Sequence, residues 1–86
     1  MDVLGRDAGR EAYRVAIWAA GRRIEGWVPE ALIAEGLARP DAPRHRSAYE
    51  WLAIHRDRIE TALLALTEGR APPSPPFNRI LLAEER

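Results

Sequence analysis

From Ala12 onward the chain alternates. Tyr13, Val15 and Ile17 are apolar and regularly interrupted by Arg14, Ala16 and Trp18, the period of two that marks a half-buried strand. Ala20 and Gly21 follow as a tight turn, and Ile24, Gly26 and Val28 then alternate with Arg23, Glu25 and Trp27 in a second strand. A hairpin turning on Ala20 and Gly21 pairs Ile17 with Ile24, Val15 with Gly26 and Tyr13 with Val28 on a core-facing side. Its other side sets Trp18 across from Arg23, Ala16 from Glu25 and Arg14 from Trp27, and a slip of one residue would exchange the two faces.

The period then lengthens. Pro29 suits the first turn of a helix, and PEALIAEGL places Leu32, Ile33 and Leu37 where a short helix buries them. Residues 38–46, ARPDAPRHR, are expected to form a loop. Ser47 with Glu50 three residues later reads as a capping box that starts one long helix, ended by Gly69 and the prolines beyond it. Ala48, Leu52, His55, Ile59, Ala62 and Leu66 form its buried stripe, widened by Trp51 and Leu63. Residues 70–77 are expected to be a stiff polyproline II connector, and residues 78–83 a third strand with Ile80 and Leu82 facing the core and Leu81 facing away. Residues 1–11, with only Val3 and Leu4 as apolar anchors, read as a loosely held arm, and residues 84–86 as a solvated end.

These elements predict a single α+β domain over residues 1–86, with its core in residues 12–83. Its antiparallel sheet has three strands, a short and a long helix pack on one face, and the order is β-β-α-α-β. The expected core is Tyr13, Val15, Ile17, Ile24, Val28, Leu32, Ile33, Leu37, Leu52, Ile59, Leu63, Leu66, Ile80 and Leu82.

Composition narrows the function classes. With 47% apolar and 30% charged residues, the 86-residue chain lies in the globular range. It lacks cysteine, which removes disulfides, thiolate metal sites and cysteine nucleophiles together. Thirteen basic residues, all arginine, balance thirteen acidic ones, so no global field draws the chain to nucleic acid or an anionic membrane. No apolar run reaches the roughly 20 residues that span a bilayer, and the first residues lack a signal-peptide core. The expectation is a soluble, cytoplasmic protein.

Candidate chemistry is sparse. His55 lies on the apolar stripe and reads as a structural histidine, while His45 sits between Arg44 and Arg46, whose charges oppose a bound cation. No nucleophile with its base, phosphate loop or metal cage can be assembled, so no catalytic, cofactor-binding or metal residue is expected, nor a small-molecule substrate. Arg70, Pro73 and Pro76 carry the RxxPxxP spacing of SH3-type ligands, for which a rigid spacer is the simpler reading. The outer sheet face is the strongest candidate. Trp18, Trp27 and Leu81, rimmed by Arg14 and Arg23, have the composition of a protein-contact centre, unless the N-terminal arm folds over them through Val3 and Leu4. A second reading is weak nucleic-acid or regulatory binding through Arg22, Arg23, Arg44 and Arg46.

The stretches REAYRVAIW, IEGWVPEAL, AIHRDRIETAL (Ala53 to Leu63) and RILLAEE together resemble a family of short bacterial proteins classed as a domain of unknown function. Those proteins run as a hairpin, a short helix, a longer helix with an HRDRIE-like phrase and a final apolar strand, and they have a short Gly-containing link where this chain has APPSPPF. The resemblance implies a compact α+β fold and no particular activity. The function expected, from the face bearing Trp18 and Trp27, is a small non-enzymatic interaction module or homodimer.

Overall fold

The computed structural model describes residues 1–38, 44–70, 75 and 77–83. The hairpin forms as its alternation dictates. Strands β2 (Ala12–Ala19) and β3 (Arg22–Pro29) pair antiparallel with Tyr13 opposite Val28, Val15 opposite Gly26 and Ile17 opposite Ile24. Ala20 (φ 52°) and Gly21 (φ 74°) both take the left-handed conformation, which matches the right-handed twist of the strands they join.

Among the described residues the sheet has four strands rather than three. The residues expected as a loose arm contain strand β1 (Asp2–Asp7), which pairs antiparallel with β2 and gives the order β1-β2-β3-β4. The pairing shifts between Val3 and Gly5, a bulge that breaks the two-residue period and hides the strand from a pattern search. Met1 and Val3 pack against the core, so the arm extends the sheet edgewise instead of folding over its outer face.

Among the described residues three α-helices follow in place of two. Helix α1 (Glu30–Gly36) starts directly after Pro29, which caps it rather than entering its first turn. The predicted long helix is divided at His55 into α2 (His45–Ile54) and α3 (Arg56–Thr67). His55 lies at φ −99°, ψ 16°, off the helical basin, which lets the two halves serve different neighbours. Trp51 of α2 sits against Gly36 of α1, and Leu63 of α3 sits against Gly26 of β3. No proline or glycine marks the break, so tertiary packing produces it.

Helix α2 begins at His45, two residues before the expected cap. Ser47 makes no cap bond, and Glu50 accepts instead from Arg46 Nε at 3.2 Å. His45 is thus a helix residue, not a loop one. At the other end Gly69 takes φ 67°, with Gly69 N–H donating to Leu66 O at 3.3 Å and Arg70 N–H to Ala65 O at 2.9 Å, the paired bonds of a Schellman close.

Most of the expected connector (residues 71–74 and 76) lies outside the described residues, and the six-residue strand expected after it is mostly something else. Phe77–Arg79 is one turn of 3-10 helix, and only Leu81–Leu82 forms strand β4, with Leu81 opposite Trp27 and Leu82 opposite Gly26. Ile80 is nevertheless buried and Leu81 exposed, as the alternation required. The core lies between the sheet and the helices. It includes Tyr13, Val15, Ile17, Ile24, Val28, Leu32, Ile33, Leu52, Ile59, Leu63 and Ile80, together with Trp51 and Phe77. Leu37, Leu66 and Leu82, expected in that core, are half-buried at its rim.

Candidate interaction surface

The sheet face turned away from the helices carries Arg14, Ala16 and Trp18 of β2, Arg23, Glu25 and Trp27 of β3, and Leu81 of β4, because each of these alternates with a core residue. The structure brings the five expected contact residues onto one face but does not treat them alike. Trp18 is 68% exposed and Leu81 58%, whereas Trp27 is 8% exposed. Two arginines cover that indole: the Arg10 guanidinium lies 4.7 Å from the ring centroid and the Arg14 guanidinium 5.3 Å. Arg10 was not singled out from the sequence. It lies in the turn between β1 and β2, and its position depends on β1, which the pattern concealed.

The middle of this face is ionic. Glu25 is 8% exposed and meets Arg14 on one carboxylate oxygen and Arg23, at 3.2 Å, on the other. Arg23 therefore leans along its own strand toward Glu25. The face runs from Trp18, near the hairpin turn, through this bridge to Trp27 and Leu81 at the far end. A hollow of about 700 Å³ opens beside that far end, lined by Arg10, Arg14, Trp27, Leu66, Leu81, Leu82 and Ala83.

A second polar cluster, not anticipated from sequence, joins β1, β2 and the helices. Arg6 of β1 forks onto the Glu30 carboxylate with Nε and Nη2, and this neighbouring cation holds Glu30, buried at the head of α1, below the usual carboxylate range. Tyr13 is fully buried, and its hydroxyl finds no hydrogen-bond partner among the described residues. Burial pushes that phenol up, and the rings of His45 and Tyr49 meet its ring edge-on at 6.1 and 5.9 Å. A signal was available: Arg6 and Glu30 are a cation and an anion bracketing the hairpin, although nothing local links them.

The other candidates are dispersed. His55 is half-buried, its ring 4.4 Å from that of Trp51 and 5.8 Å from that of Phe77; burial, with Arg58 nearby, lowers its pKa. Of the four arginines considered for nucleic acid, Arg23 is held by Glu25 and Arg46 by Glu50. Arg70 pairs with Glu68, while Pro73 and Pro76 lie outside the described residues. Among the described residues no three of His, Asp and Glu gather as a metal site would require, and no helix is long and apolar enough to cross a membrane. No protein-family model, curated protein or solved structure matches the chain.

Proposed function

We propose that the protein is a small non-enzymatic interaction module that meets another protein, or a second copy of itself, through the outer face of its sheet. One observation carries the reading. An indole 68% exposed and a leucine 58% exposed lie on the sheet face turned away from the helices of the described residues. Large aromatic side chains lose little conformational freedom on contact and contribute disproportionately to interfaces, so an uncovered tryptophan on a rigid strand is a ready anchor. The arginines beside it supply planar donors for polar contacts at the rim.

Amide spectra of the labelled protein, followed on dilution from millimolar to micromolar concentration, test this. The resonances of Trp18, Arg14 and Leu81 are expected to shift together while those of the solvent side of α2 stay still. Shifts confined to the helices, or none on the sheet, would remove the reading.

A further inference from the structure

Next to the outer face lies the hollow beside β4, and its walls differ in kind. On one side two guanidinium groups lie over the Trp27 ring. Arg14 shares Glu25 with Arg23, whereas Arg10 has no carboxylate on its guanidinium among the described residues; only its backbone N–H bonds to Asp7, at 3.0 Å. Among the described residues that line the hollow, Arg10 and Arg14 are the charged ones and both are cations; Glu25, outside the lining, balances Arg14, which leaves the Arg10 guanidinium as the wall's unmatched positive charge. On the other side are Leu66, Leu81 and Leu82. A guanidinium held over an indole by cation–π attraction keeps N–H donors to offer a carboxylate.

The shape favours an extended chain. The hollow follows β4, the last strand in the sheet order on its side, so a segment laid along it would run parallel or antiparallel to an edge. In such a segment alternate side chains point the same way at a spacing of about 7 Å, letting one set meet arginines and the other meet leucines.

We propose that this cleft receives an extended acidic segment of a partner protein, its carboxylates meeting Arg10 and Arg14 and its intervening apolar side chains lying on Leu66, Leu81 and Leu82. The inference rests on the outer face being a protein-contact surface and names the chemistry of what it contacts. Among the described lining residues the charges are the two arginines, and they favour an acidic occupant over a basic or neutral one.

The test is titration calorimetry of the full chain with a capped six-residue peptide of alternating glutamate and leucine, beside peptides in which glutamine or lysine replaces glutamate. Binding of the glutamate peptide is expected, weakened about tenfold or more by the glutamine exchange and abolished by lysine. Arg10→Gln should weaken it at least about fivefold, while Arg46→Gln on α2 leaves it unchanged. Arg10 is exposed and its packing role is limited to the Trp27 ring, so this variant is expected to fold; circular dichroism checks that. Equal affinity for the glutamate and glutamine peptides, no binding of either, or no effect of Arg10→Gln overturns the proposal. If dilution still shifts Trp18 while no peptide binds, the acidic partner is wrong and the contact face stands.

Discussion

Tyr13 shows how a single residue can carry a cost that the fold tolerates. Its ring fills the core between the sheet and the first turn of α2, but its hydroxyl is buried with no partner among the described residues. An unsatisfied buried hydroxyl costs about 1–3 kcal/mol, so its removal should cost nothing. Tyr13→Phe is expected to leave stability unchanged or raise it by about 1 kcal/mol in chemical denaturation. A loss larger than that would mean the hydroxyl is bonded. Gly26 is the opposite case. Its Cα faces the core with the Leu63 side chain and the Leu81 carbonyl oxygen seated where a methyl would go, and the carbonyl cannot move without breaking the β3–β4 pairing. Gly26→Ala should lower stability by about 2–3 kcal/mol, read from the urea midpoint, with β4 the first element to lose amide protection. A neutral result would show that β4 is not held against β3 as described.

At the scale of elements, the divided helix has a consequence for pH. The His55 ring stands at the break between α2 and α3, against Trp51 and Phe77, where burial first and Arg58 second disfavour its charged form. Its folded pKa is lower than the unfolded value of about 6.5, so the unfolded chain takes up the proton first as pH falls. The stability tied to neutral His55 is therefore complete above about pH 6.5 and is lost below it, down to the folded pKa. His55→Phe keeps a ring at the break and should remove that slope from a stability profile between neutral and mildly acid pH; a variant with an undiminished slope would contradict the assignment. Glu30 acts further down. Held ionised by Arg6, it contributes stability that is present above about pH 4.3 and is lost as pH falls through its lower folded value. The same elements show what the letters could reveal. The hairpin register was legible to the residue because alternation and turn are local. Strand β1 was not, since its bulge at Leu4 breaks the alternation, nor was the helix break, since nothing at His55 but its distant packing calls for one. The capping box at Ser47 misled because α2 continues two residues further back, to where His45 meets Tyr13.

For the whole molecule, the three α-helices among the described residues lie on one side of the four described strands, and the opposite side carries Arg14, Trp18, Arg23, Glu25, Trp27 and Leu81. That face was legible in outline, because alternation alone assigned Trp18, Trp27, Arg14, Arg23 and Leu81 to it. How it is finished was not. Arg10 reaches Trp27 from the β1–β2 turn, so one indole is covered and the other left bare, a division no spacing encodes. An exposed indole and leucine on a rigid sheet should associate weakly with copies of themselves at high concentration, even where another protein is the natural occupant, and this apolar contact should resist salt. The deciding measurement is the solution mass by light scattering across a concentration series at low and high salt, for the wild type and for the Trp18→Ser, Leu81→Ser double variant. The account predicts a wild-type mass that rises above the 9.7 kDa monomer with concentration at either salt, and a folded double variant that stays at the monomer mass. A wild type that remains monomeric throughout, or a double variant that associates as strongly as the wild type, would contradict it.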